Sequence, residues 1–388
     1  MKLAHGRHLA YCTNIHRGET WPEVLLALQD HVLPVRDTVA RGAPYAIGLR
    51  LSAAAAHDLS HPPTLAAFQR WLDQHDCYVF TVNGFPYGRF HGTRVKEQVY
   101  APDWTTRERL DYTNLLFTLL AQLLPEGVEG SVSTAPISFK AFKPSPDSLA
   151  AARSHLWECL EHVEATSRRT RRTLHLGLEP EPLCTLETTP ESLEFLARMD
   201  EDRPGDPRRR EHLGINYDCC HLAVEFEDAR ASLDQIRDAG VRLSKIHLSS
   251  ALACTPDQIS RDQLRAFADD TYLHQVVALR EDGSLRRSRD LPEALADPRL
   301  KDAVEWRVHF HVPLHHQPEP SAALGTTRQH VLDTLDWLAD HPALGPHLEM
   351  ETYTWDVLPA ALRATGVTDQ IAREYAWTLG QLRSRGLA

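Results

Sequence analysis

Short apolar segments alternate with longer amphipathic ones along the whole chain, and this rhythm restricts the fold more than any other feature. HLAYCTNIH (8–16), YAIGLRLS (45–52), CYVFTVNGFP (77–86) and VEGSVSTAPISF (128–139) read as strands. Each is followed by a stretch whose apolar residues recur at helical spacing, over 21–39, 63–75, 105–124 and 146–169. The second half repeats the pattern with LHLGLEPEP (174–182), LGINYDCCH (213–221), LSKIHLSS (243–250) and HLEMETYTW (347–355). Eight strand–helix units make a closed (β/α)8 barrel, a TIM barrel, the simplest architecture.

One stretch breaks the rhythm. Almost a hundred residues separate the seventh strand from the eighth. They contain a hairpin signal centred on Glu-Asp-Gly within 272–291, a further strand over 305–316 and a helix over 326–341. An insertion after a barrel strand lies where lids and substrate walls are built. The expectation is one domain over 1–388, with 251–325 as an inserted rim subregion, because barrels of this kind routinely exceed about 250 residues.

Composition excludes several classes of function. A formal charge of −11 argues against a nucleic-acid partner, since phosphate backbones are bound through Lys and Arg. No apolar run reaches the roughly 18 residues needed to span a bilayer, so membrane insertion is not expected. The N-terminal MKLAHGRHLAYC lacks the apolar core of a signal peptide, which predicts a cytoplasmic protein. The seven cysteines are scattered and form no CxxC pair, which fits reduced thiols and excludes a zinc ribbon. Homo-oligomerisation is left open.

The chemistry sits at the ends of the last four barrel strands. Glu179, Asp218, His247 and Glu351 each close a strand, and in a parallel barrel all strand ends of one sense meet at one face. Two glutamates, an aspartate and a histidine make a ligand set for a hard or borderline divalent cation. Taken singly, each has a plain structural reading. A carboxylate at a strand end can be a helix cap, and Asp218 with His221 can be a capped turn beside a packed imidazole. Glu181 and Glu349 share strand faces with Glu179 and Glu351 by the period of two, so either member of each pair fits. Mixed carboxylate and imidazole ligation suits one Mn, Co, Zn, Fe or Mg ion.

The strand-end series LGLEPEP, INYDCCH, SKIHLSS and LEMETYTW resembles that of the xylose-isomerase-like TIM-barrel superfamily of sugar isomerases, ketose 3-epimerases and endonuclease IV. Within it, YCTNIHRGETW (11–21), VFTVNGFPYGRFHG (79–92), VHFHVPLH (308–315) and LEMETYTWDVLP (348–359) look like the Ebo-cluster metabolite-traffic proteins of the E type. The resemblance implies that Glu179, Asp218, His247 and Glu351 are the metal ligands and that His221 stands beside the substrate. It also implies that Glu179 and Glu351 are the acid/base pair. Glu-Pro at 179–180 favours Glu179 over Glu181, and the nearer approach to the strand end favours Glu351 over Glu349.

The extra strand is the second informative feature. Its alternation sets Val308, Phe310 and Val312 on one face and Arg307, His309 and His311 on the other. The polar face reads as solvated strand, as a further metal ligand or second metal, or as an anion-binding surface. In the first half, Asn14, His16, Arg50, Asn83 and His91 fall at or just past strand ends, and the apolar loop NGFPYGRFHG (83–92) reads as a wall over the substrate. Arg307, His309, His311, Asn83, His91 and His221 are thus the candidate substrate-binding residues. The combined expectation is a metal-dependent isomerase or epimerase acting on a sugar-like or carbonyl-bearing small molecule through an enediolate. The alternatives are a metal-containing metabolite-binding or traffic protein without turnover, and a metal-dependent phosphodiesterase.

Overall fold

Each short apolar segment contains a strand, and most strands stop before the apolar segment does. The computed structural model describes every residue except 41, 320 and 364. In chain order its strands are β1 (Leu9–Tyr11), β2 (Tyr45–Arg50), β3 (Cys77–Asn83), β4 (Gly130–Thr134), β5 (Leu174–Leu178), β6 (Leu213–Asp218), β7 (Arg242–Leu248), β8 (Leu252–Cys254), β9 (Val276–Leu279), β10 (Leu285–Ser288), β11 (Glu305–Val308), β12 (Gly325–Thr326) and β13 (His347–Met350). Asn14, Glu179 and Glu351 therefore lie just beyond the ladders, where the chain turns over the rim.

Eight strands form one parallel sheet in the order β1-β13-β7-β6-β5-β4-β3-β2, and a parallel bridge between Cys12 and Gly48 closes it into a barrel. The sequence-predicted helices appear as Pro62–Gln74, Arg107–Leu123, Pro146–Thr170 and Arg328–Asp340. Side chains of Ser145, Thr188 and Asp228 cap helices by accepting backbone N–H groups. The stretch 21–39 is helical but not one α-helix. A π-helical turn over Leu28–Val32 separates Trp21–Ala27 from Leu33–Val39 and precedes Pro34, whose ring and missing N–H disrupt an ordinary ladder. No helix among the described residues is long and apolar enough to cross a membrane.

The insertion folds as a second sheet, antiparallel, in the order β10-β9-β11-β8-β12. The hairpin forms as expected, with Leu279 paired to Leu285 across the Glu-Asp-Gly turn. The extra strand is shorter than expected and ends at Val308, yet the alternation persists beyond it. Val308, Phe310 and Val312 are buried in the insertion's apolar core with Trp306, Phe267 and Leu291.

Candidate metal centre and active site

The ladder register brings the four strand ends together. Asp218 and Glu349 both pair with His247 across neighbouring strands, and Glu351 lies two residues further up its strand, past the last paired position. Glu179, Asp218, His247 and Glu351 are all buried, and each offers a ligand atom within 4.8 Å of the others. The focus is Nδ1 of His247, which is 3.0 Å from Glu179 Oε1, 3.0 Å from Glu351 Oε2 and 3.4 Å from Asp218 Oδ2. This is a buried cluster suited to a single divalent cation, whose ligands converge in the same way.

Neighbouring side chains orient these groups. Nε2 of His247 lies 2.9 Å from Glu349 Oε2, an acceptor that keeps the ring hydrogen on Nε2 and leaves Nδ1 free to ligate. Glu349 is therefore the partner beneath the histidine, and Lys245 Nζ bonds the same oxygen at 2.6 Å. Burial alone would raise the Glu349 carboxyl, but Lys245 and His247 outweigh it and hold it at about 2. Asn216 Nδ2 donates to Glu179 Oε2 (2.7 Å), and Asn14 and Asn83 donate to Glu351 Oε1 (2.7 and 3.1 Å). Burial also works against charge on Asp218, yet His221, His247 and His311 hold its carboxyl well below the usual range. Burial likewise opposes charge on His247, but Glu351 and Glu179 raise it well above its ordinary value. A cation takes over that compensating role, at the cost of displacing the proton.

Above the cluster opens a cavity. Glu179, Glu181, Glu351, His221, His309 and Asn83 reach it, while Phe85, Pro86, Phe90, Tyr272 and Tyr353 form apolar walls. The 83–92 loop is thus a wall of the cavity, and Phe90 packs on Tyr272 of the insertion and on Tyr353. Glu181 stands apart from the four-residue cluster. Tyr100 donates to it at 2.5 Å, and burial, only partly offset by His221 and Tyr100, pushes its carboxyl up to about 7.

Three of the expected substrate-binding residues, Arg307, His91 and His311, do not line this cavity. Arg307 does not line this cavity, because its guanidinium is engaged by the Ala223 carbonyl (2.7 Å) and by Glu305, and it stacks over the Phe226 ring at 4.0 Å. His91 lines a separate groove with His16, Arg17 and Asp356, because the loop turns Phe90 rather than His91 toward the cavity. His311 is fully buried under the floor, with Nε2 3.2 Å from that of His309. Sequence reasoning missed Asn216 and Lys245, although each sits two residues before a candidate ligand on the same strand face and was open to detection by that period. It also missed Tyr100 and Gln275, which no local pattern marks.

No family model and no curated protein matches this chain. Among solved structures, an L-ribulose 3-epimerase superposes with a TM-score of 0.51 at 11% identity, covering 99% of this chain and 96% of that one. A D-tagatose 3-epimerase-like protein gives 0.50 at 12% identity, with 96% and 98% covered. Likeness at this identity is one of fold, and it agrees with the observed topology. The chain shares the TIM-barrel fold of these two epimerase structures, elaborated between its seventh and eighth barrel strands.

Proposed function

We propose that this protein is a divalent-metal-dependent isomerase or epimerase acting on a sugar-like or carbonyl-bearing small molecule. Glu179, Asp218, His247 and Glu351 are its metal ligands, and Glu179 and Glu351 its acid/base pair. The observation that carries the reading is the convergence of three carboxylates on His247 Nδ1 below a cavity walled by aromatic side chains. Bound there, a cation supplies electrostatic stabilisation of the charge that develops on a substrate carbonyl oxygen.

The remaining work falls to the chain. Asn216 fixes one oxygen of Glu179, and Asn14 and Asn83 fix one oxygen of Glu351, so each carboxylate has a defined orientation toward the substrate carbon. One removes the proton next to the carbonyl and the other returns it. His221 and His309 meet the substrate's polar groups, and the Phe85, Phe90, Tyr272 and Tyr353 walls exclude water. In this reading 1–388 is a single domain and 251–325 completes its rim. The negative charge favours a small-molecule partner over nucleic acid.

The test is exchange. Incubation with a panel of ketoses in deuterated water is expected to place deuterium on a carbon next to the carbonyl, and Glu179→Gln and Glu351→Gln should each suppress it at least about a hundredfold. Tight binding of a metabolite with no exchange would instead support the metabolite-holding alternative suggested by the resemblance to the traffic proteins.

A further inference from the structure

The opposite end of the barrel holds a second concentration of polar side chains. A (β/α)8 barrel normally fills its interior with bulky Val, Ile and Leu. Here the lowest layer instead contains His8, Thr81, Ser131, His175, Ser244 and His347, all of them buried. His8 precedes β1, Glu129 precedes β4, and Arg242 and His347 open β7 and β13, so these four sit at the N-terminal mouth. There they line one groove together with Arg210 and Arg237, at the other end of the barrel from Glu179, Asp218, His247 and Glu351.

Hydrogen bonds fix the two groove-lining rings as donors. Tyr78 Oη lies 2.7 Å from His8 Nδ1. The phenolic hydrogen has no other acceptor among the described residues, so it goes to Nδ1 and the ring hydrogen sits on Nε2. Thr81 Oγ1, Ser131 Oγ and His347 Nδ1 form a chain in which both steps are 2.7 Å. Thr81 is fully buried and its hydroxyl bonds no other described residue, so Thr81 donates to Ser131 and Ser131 donates to His347 Nδ1. That again leaves hydrogen on Nε2. Burial lowers the pKa of both rings, His8 to about 4, so each is neutral and carries a single hydrogen. Neither Nε2 has a partner among the described residues, although His8 and His347 are only 6% and 3% exposed.

The arginines supply charge. Arg242 bonds Glu129 at 3.0 Å, and Arg237 pairs with Asp234 (2.6 Å) and Asp238 (2.8 Å). Arg210 is exposed and has no acidic partner among the described residues. Glu129 also lines the groove, but His175 and Arg242 hold its carboxyl at about 2 and compensate its charge. The His8 and His347 ring centroids are 6.4 Å apart, a separation that two hydrogen bonds of about 2.8 Å to one tetrahedral anion can span. A metal cation, by contrast, needs lone pairs, and both Nε2 atoms carry hydrogen.

We propose that this groove binds the phosphate group of a small molecule, with Nε2 of His8, Nε2 of His347 and the Arg210 guanidinium as donors. Leu233, Ile236 and Leu344 form the apolar wall against which an organic part would lie. The site is separate from the proposed metal centre and does not depend on the proposed reaction.

Calorimetric titration of the full chain with inorganic phosphate and with glycerol 3-phosphate tests it. Saturable binding at about 1 mM or tighter is expected. His347→Phe keeps a ring and removes its N–H, and Arg210→Met removes charge from an exposed position; each should weaken binding by about tenfold or more. Asp218→Ala, at the other mouth, should leave it unaltered. Equal affinity for the two probes supports the site with free phosphate as its ligand. Tighter binding of the ester supports it with a phosphate ester that uses the apolar wall. No saturable binding of either probe below about 10 mM overturns the site. So does binding that Asp218→Ala abolishes and Arg210→Met leaves intact, which would put the phosphate at the metal centre. Arg210 lies on the surface, so its variant decides the matter even if His347→Phe fails to fold.

Discussion

Asp218 serves the fold and the site with the same carboxylate. Oδ1 accepts from the His221 N–H (2.9 Å) and the Ser249 hydroxyl (2.7 Å), capping the helix Cys219–Val224, while Oδ2 turns toward His247. The plain structural reading holds for Oδ1, and the proposed ligand role falls to Oδ2 of the same carboxylate. Glu374 shows a different tension. It is buried, accepts from the Leu314 N–H (2.9 Å) and the Thr352 hydroxyl (2.8 Å), and burial outweighs those bonds to push its carboxyl up to about 7. Its folded value lies above the ordinary 4.5, so the folded state holds a proton that the unfolded chain has released. Stability is therefore lost as pH rises from about 4.5 to about 7, by roughly 3 kcal/mol in total. Glu374→Gln removes that loss while keeping an acceptor. Its denaturation midpoint should exceed that of the wild type by more at pH 8 than at pH 5, and an equal difference at the two pH values would refute the assignment.

At the scale of elements, the seam between β1 and β2 carries the greatest constraint. Gly48 forms the closing bridge with Cys12, and a Cβ there would stand 1.9 Å from Glu349 Oε1 and 2.7 Å from the Tyr11 carbonyl. The strand thus lacks a side chain where the orienting carboxylate under His247 needs the room. Gly48→Ala should displace Glu349, destabilise the barrel by about 1–3 kcal/mol and weaken metal binding by roughly 10–100-fold. Calorimetric titration with Mn2+ checks this. Unaltered affinity would mean that Glu349 does not orient the histidine.

The whole molecule is a barrel and an added sheet that meet across one cavity. Lys96 joins them, donating from Nζ to the carbonyls of Asp269 (2.8 Å) and Tyr272 (2.6 Å) and to Asp290 Oδ2 (2.7 Å). It does so from a left-handed backbone conformation, φ +38°, which costs a non-glycine residue about 1–2 kcal/mol and is held there by these bonds. Removing the ammonium would leave Asp290 without its cation and the wall of Phe90, Tyr272 and Tyr353 without its tie. Lys96→Met should accelerate amide hydrogen exchange in 84–100 and 268–274 by about tenfold or more, with the barrel strands unchanged. Equal protection in both regions would show that aromatic packing alone holds the wall.

Local periodicity was enough to determine the eight strand–helix units, the hairpin around residues 281–283 and the side of each strand on which Glu179, Asp218, His247 and Glu351 lie. These follow from residues near one another in sequence, because a strand repeats every two residues and a helix every 3.6. Periodicity places Glu349 and Glu351 on one face without saying which stands level with His247. That depth comes from ladder register between strands a hundred residues apart, which pairs Glu349 with His247 and lifts Glu351 past the last pair. The same limit applies to the insertion. Alternation put Arg307, His309 and His311 together, but the strand ends at Val308, so His309 reaches the cavity and His311 lies buried beneath it, while Arg307 stays with Ala223 and Phe226. Which polar residues share a site was settled by where a second sheet docks on the barrel, a tertiary contact that no local pattern encodes.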